Sequence, residues 1–329
     1  MSNTKDKQKA LIVAGTYERT LCGWRVEGDE AATPVFNHPA HLGPIKAVAI
    51  SGKYLVSGGN DEEIRIFNTR KLVEVGNLMR HQGPITSLKF FGSFNLVSSS
   101  DDGTMLIWRC KDWECLSTLR GHKGGVIDHD IHDSGKVLIS CGRDNTIRLW
   151  DLVKGSLLHT RKRESKGYGS FQCIRWIPKS EGFCSIIGNS VEIYDANSDT
   201  PTSNLAHSRT PLTATFYDAN TLLTGGEDKI VRVWDVRNGK TVNQLPQMSS
   251  RIRSISIESL TNSVITACSD GDIQMNSWSN SDKVLWKEST RARITCACSA
   301  ITEGAEEAAD VQSGMQVAML MLIFLLGAG

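Results

Sequence analysis

Residues 121–151 bring His122, Ser140 and Asp144 within one short stretch of chain. A hydroxyl, an imidazole and a carboxylate are the parts of a nucleophilic triad, in which the imidazole takes the hydroxyl proton and the carboxylate orients the ring. Hydrolysis is therefore the first chemistry to weigh. The same residue types return as His81, Ser98 and Asp102, and again as His207, Thr224 and Asp228. A catalytic centre has no reason to be copied along a chain, whereas a structural device has. The recurrence points to scaffold. No Gly-rich phosphate loop or metal cluster appears, and no isolated nucleophile, so no cofactor, metal or enzymatic activity is expected.

The elements that must position these residues are short strands. In SCGRDNTIRLWD, at 140–151, Ile147 and Leu149 alternate with Thr146 and Arg148, the period of a strand with one buried and one wet face. Asp144 and Asn145 precede it and favour a tight turn. The same order recurs in GGEDKIVRVWD at 225–235 and SSDDGTMLIW at 99–108. GGNDEEIRIFN at 58–68 has Phe67 at the Trp place, and GNSVEIYD at 188–195 has Tyr194. GTYERTLCGW ends on Trp24 with Glu18 at the Asp place, and CSDGDIQMN aligns Asp270 and Asn276. The aligned positions 24, 67, 108, 150, 194, 234 and 276 are spaced by 43, 41, 42, 44, 40 and 42 residues. Such a period marks a four-stranded propeller blade, and seven copies predict an all-β, seven-bladed β-propeller. RARITCACSA at 291–300 reads as a first strand with no blade after it. LIVAGTY, TLCGWRV and TPVFNH near the start read as three strands without a first one. The C-terminal strand is expected to join these N-terminal strands and close the ring, which covers two open sheet edges.

The 329 residues carry a net charge of +1, so no overall pull toward nucleic acid or membrane follows. Nine scattered cysteines, none at zinc-site spacing, read as reduced core residues of an intracellular protein. The expected organisation is a polar N-terminal segment over 1–10, the propeller over 11–300, and an acidic linker with a short apolar tail over 301–329. MSNTKDKQKA has no apolar segment and is not a secretory signal. VAMLMLIFLL at 317–326 is short for a membrane span of about 20 residues. A helix packed on the propeller, a variant-transcript artefact and a tail anchor are the readings open for it, and a membrane partner is not expected.

His41, His81, His122 and His207 each stand shortly before an apolar strand. With the Trp-Asp ends this resembles the WD40 repeat family from about Leu11 to about Ser299. The resemblance implies a hydrogen-bonded tetrad inside a blade. The matching sets are His81, Ser98, Asp102 and Trp108; His122, Ser140, Asp144 and Trp150; and His207, Thr224, Asp228 and Trp234. The blade with His41, Ser57 and Asp61 has Phe67 and lacks the indole donor. LIVAGTYERTLCGW, HLGPIKAVAISGKYLVSGGNDEEIRIFN and GHKGGVIDHDIHDSGKVLISCGRDNTIRLWDL resemble the p21-activated-kinase-interacting protein 1 family, with Asp128-His129-Asp130 among the non-generic stretches. That family implies a nuclear, nucleolar WD-repeat scaffold of large (60S) ribosomal subunit assembly, with protein partners in pre-60S particles and pre-rRNA as a further one. The alternative it implies is a negative regulator that docks a p21-activated-type kinase. No small-molecule substrate is expected. Family members continue into a lysine-rich tail where this sequence is apolar, which bears on nucleolar retention.

Partner contacts are expected on the loops before each blade's first strand, which carry Lys123, Arg209, Arg251, Arg253, Arg291 and Arg293. The turns between second and third strands add Arg143 and Lys229 on the same face. This basic set suits RNA phosphates or an acidic protein segment, although Glu62, Glu63 and Glu227 share the face and ordinary charged loops would look the same. HTRKRESKGYG at 159–169 gathers Arg161, Lys162, Arg163 and Lys166 between blades, near Tyr168 and Phe171. It reads either as a nuclear-import or nucleic-acid patch or as a solvated loop.

Overall fold

The computed structural model describes residues 9–27, 31–163, 169–195, 198, 200–279 and 283–303. The tail beyond 303 and most of the N-terminal segment lie outside them. Among the described residues twenty-eight strands, numbered β1–β28 along the chain, make seven four-stranded antiparallel sheets. Each sheet is one blade. The inner strands are β4 (Ile45–Ser51), β8 (Ile85–Phe91), β12 (Val126–Ile131), β16 (Phe171–Trp176), β20 (Pro211–Phe216), β24 (Ile252–Glu258) and β28 (Ile294–Glu303), and residues of all seven line one central channel. The result is a seven-bladed β-propeller.

The ring closes as the sequence implies. β28 pairs with β1 (Lys9–Thr16), from Lys9 opposite Glu303 to Thr16 opposite Ile294, and β2 (Thr20–Glu27) and β3 (Thr33–Pro39) complete that sheet. The closing strand starts at Ile294; residues 291–293 belong to the preceding loop.

The blades stack face to face, so their middle strands are covered on both sides. Between the second and third blades Ile64 and Ile66 pack with Leu88, Leu96 and Trp108. Between the third and fourth, Met105 and Ile107 pack with Leu138 and Trp150. This corrects one expectation: the polar residues of TIRLWD are not wet. Thr146 and Arg148 are buried, because that face carries the polar staple described below. The residue after the turn carboxylate has positive φ at Gly103 (83°), Gly271 (107°) and Asn145 (56°), types that accept it readily, and equally at Arg19 (71°), Glu62 (69°) and Lys229 (66°), where the turn imposes it.

Two features of the inner strands bear on function. Each carries a register shift at its second residue, a β-bulge repeated in every blade. An inner strand also pairs on one side only, which leaves N–H groups facing its neighbour. Between the fourth and fifth blades two of these, and one N–H of the turn after β16, are met by carboxylates. Asp128 accepts from Ile174 N at 3.2 Å, Asp130 from Trp176 N at 2.9 Å and Asp133 from Lys179 N at 2.8 Å, each 46 residues apart. Asp128 also takes the Arg175 guanidinium, which holds this buried carboxyl below its usual range against the upward pull of burial. The Asp128-His129-Asp130 stretch is thus an interblade comb.

Candidate partner-binding face

The candidate triads resolve into staples. In the fourth blade His122 Nδ1–H donates to Asp144 at 3.0 Å, and the Ser140 hydroxyl lies 2.8 Å from His122 Nε2. Trp150 Nε1–H donates to the same hydroxyl oxygen at 2.9 Å. Asp144 also accepts the backbone N–H of Lys123 at 2.9 Å, tying the loop before β12 to the turn. The third blade repeats this with His81 to Asp102 at 3.2 Å, His81 to Ser98 at 2.8 Å and Trp108 to Ser98 at 2.9 Å. The second blade has the His41–Asp61 and His41–Ser57 contacts, at 3.0 and 2.7 Å, with Phe67 in place of the indole. Ser57, Ser98 and Ser140 are 0% exposed, so the triad geometry offers no substrate access to its hydroxyl. Burial lowers the pKa of His41, His81 and His122, which favours the neutral ring this pattern needs.

The sixth blade departs from the expected tetrad. His207 and Trp234 both reach Thr224, at 2.9 and 2.8 Å, but His207 Nδ1–H donates to Leu205 O at 3.0 Å. Asp228 is taken instead by the guanidinium of Arg232, four residues on. Arg is a stronger carboxylate partner than a neutral ring, so a tetrad member is exchanged for an ion pair. In the first blade Glu18 supplies the turn carboxylate: it accepts Arg293 N at 2.8 Å.

These bonds place the loops before the inner strands beside the turns between second and third strands. Backbone bonds repeat the link, as in Asp101 N to Pro84 O, Arg143 N to Gly125 O and Ser269 N to Arg251 O. The expected basic residues therefore occupy one end of the ring, yet they are not equivalent. Arg143 is held by Asp101 of the preceding blade at 2.7 Å. Arg293 lies over the Tyr17 ring at 3.9 Å and is paired with Glu18. Lys229 Nζ donates to Ser249 O at 3.0 Å. Arg253 is not in a loop: it is the second residue of β24, half-buried at the channel mouth, and burial followed by the nearby Arg251 charge lowers its pKa. Lys123, Arg209, Arg251 and Arg291 are exposed, with side chains that meet no carboxylate among the described residues.

The basic run after residue 159 is also partly spoken for. Its first residues belong to the outer strand β15 (Ser156–Lys162). Arg161 lies over the rings of Tyr194 and Phe183, at 5.1 and 5.5 Å, and Arg163 pairs with Glu192 at 3.4 Å. Both brace the fifth blade. Phe171 is buried in β16 and cannot stack on a base; Lys166 and Tyr168 lie outside the described residues. Sequence reasoning missed Lys46, which sits within the apolar run of β4 yet is exposed at the channel mouth. Its signal was a lone cation at the second place of an inner strand. The nine cysteines are free, and no group of ligands able to hold a metal ion occurs among the described residues.

Comparison with known proteins agrees with this architecture. The WD domain, G-beta repeat family matches at residues 32–68, 72–109, 113–151 and 200–235. The matched segments end in the blades of Phe67, Trp108, Trp150 and Trp234, the four that carry the His, the Ser or Thr and the turn Asp. The "p21-activated protein kinase-interacting protein 1-like" protein of Gallus gallus is 36% identical over 294 residues, covering 87% of this chain and 79% of its own. Its Danio rerio counterpart is 33% identical over 300 residues, with the same shares of 87% and 79%. "Protein MAK11" of Saccharomyces cerevisiae is 36% identical over 228 residues, 60% of this chain and 54% of its own.

Proposed function

This chain belongs to the p21-activated protein kinase-interacting protein 1 family of WD40 propellers, and we propose that it is a scaffold of large ribosomal subunit assembly that acts in the nucleolus. The observation that carries the reading is the end of the ring where loops and turns meet. Among the described residues Lys123, Arg209, Arg251 and Arg291 stand exposed there without carboxylate partners, on loops tied to the neighbouring turns by hydrogen bonds. A basic, multi-loop surface suits the acidic segments and phosphates of a ribonucleoprotein particle. The buried hydroxyls of the triads leave the fold to serve binding rather than hydrolysis. Docking of a protein kinase is the second reading, and its motive is the names of the vertebrate relatives.

Tagged protein from nuclear extract, run on a sucrose gradient and scored for large-subunit precursor RNA, separates the two. Co-migration with pre-60S material is the expected result. Migration as a small complex containing a kinase overturns the assembly role in favour of the second reading.

A further inference from the structure

The repeated bulge builds a ring of seven side chains around the channel mouth, one from each blade. On one arc stand Arg253, Thr295, Lys46 and Thr86; on the other, Ile127, Gln172 and Leu212. All seven line the channel, a cavity of ≈ 800 Å³. A bulge residue has no cross-strand partner; Ile127 also packs against the core between the fourth and fifth blades, and Thr86 meets the Ser99 hydroxyl at 3.0 Å. None of the seven is acidic. Thr295 spends its hydroxyl on the carbonyls of Ile45 and Gly15, at 2.6 and 2.9 Å. That leaves Arg253 and Lys46 as two cations on either side of a neutral residue.

The other charges of the channel cancel. Asp128 is taken by Arg175, Asp130 by Lys89 at 3.7 Å and Asp101 by Arg143 at 2.7 Å. Lys46 and Arg253 form no ion pair among the described residues, and Glu227 and Arg251 act on Arg253 only through their fields. The mouth is thus cationic on one side and apolar on the other, at Ile127 and Leu212.

We propose that this ring is a docking socket for a protein partner, which inserts an acidic side chain against Lys46 and Arg253 and an apolar one against Ile127 and Leu212. A nucleic acid is the poorer fit. None of the seven is aromatic, so the ring offers no platform for stacking bases, and a phosphate backbone has no use for the apolar arc. The socket rests on the scaffold reading above and adds the chemistry of the partner and the place where it binds.

The test is fluorescence anisotropy on the full chain, with a labelled synthetic peptide of alternating Glu and Leu as one probe and a single-stranded RNA oligomer of equal length as the other. Saturable peptide binding is expected. Lys46→Glu, Arg253→Glu and Ile127→Asp should each weaken it by about tenfold or more. Lys240→Glu, on an outer strand away from the mouth, should leave it unchanged. Should a charge reversal lower the melting temperature, Lys46→Gln and Arg253→Gln carry the comparison, with a smaller loss in the same direction. The proposal is overturned by absent peptide binding, by equal binding to the ring variants, or by RNA that binds more tightly than the peptide through the same residues. Because the assay uses purified components, the socket stands or falls independently of co-migration with pre-60S material.

Discussion

At the scale of the residue, the recurring polar set is a hydrogen-bonding device, and its strength differs from blade to blade. Asp144 accepts from His122, Thr146 and the Lys123 backbone. Burial alone would raise its pKa, but these bonds outweigh it and bring it to about 2. Asp144→Ala removes an acceptor that several donors depend on, and should cost about 1–3 kcal/mol in chemical denaturation. Asp228→Ala frees Arg232 and leaves the His207–Thr224–Trp234 chain intact, so its cost should be the smaller of the two. Equal losses would show that the histidine contact is not what matters. The same groups set a pH dependence. Burial, offset in part by the carboxylates, holds His41, His81 and His122 below the usual 6.5. The unfolded chain then binds protons that the folded one does not, so stability is whole above that value and declines as pH falls below it. Asp144 acts in the same sense lower down: its contribution is present above 3.8 and is lost as pH falls toward about 2. The melting temperature should decline from about pH 6.5 downward and more steeply below about pH 4. A flat profile between neutrality and about pH 5 would mean that the rings are not buried neutral.

At the scale of the element, seven strand-turn-strand copies were legible because the aligned end positions keep a steady spacing even where a tetrad residue is replaced. Ring closure was legible from strands left over at each end. The wet face assigned to TIRLWD was not, because a period-two pattern reports polarity, while burial of Thr146 and Arg148 depends on a neighbouring blade remote in sequence. Nor could the comb of Asp128, Asp130 and Asp133 be foreseen, since its partners are backbone N–H groups on another blade. Arg253 was misplaced into a loop because strand starts are blurred by the bulge at their second residue. The closing strand carries the clearest prediction at this scale. Deleting residues 291–303 removes β28 and leaves β1 with a bare edge. Thermal unfolding of the whole ring should shift to lower temperature and lose cooperativity; a truncated chain that melts like the full one would contradict the closure.

At the scale of the whole molecule, two kinds of cation sit at one end of the ring, those out on the loops and those at the mouth. Reversing Arg209 and Arg251 together, both exposed, should weaken association with pre-60S material without shifting the melting temperature. Unchanged sedimentation would show that the outer loops are bystanders. Family, fold and the basic end were within reach of sequence, because repeats announce themselves by period. The cancellation of charges was not, since Arg143 meets Asp101, and Arg293 meets Glu18, across the boundaries between repeats. One further consequence lies in the pairing of Lys9 with Glu303. A ribosome makes the first three strands of that sheet before the other six blades and the fourth only after them. Until then β1 waits with an open edge, exposed to other nascent chains or to a chaperone that covers it. Closure therefore reports that synthesis has run to the end of the propeller, and a chain that stalls earlier stays visibly incomplete to the quality-control machinery.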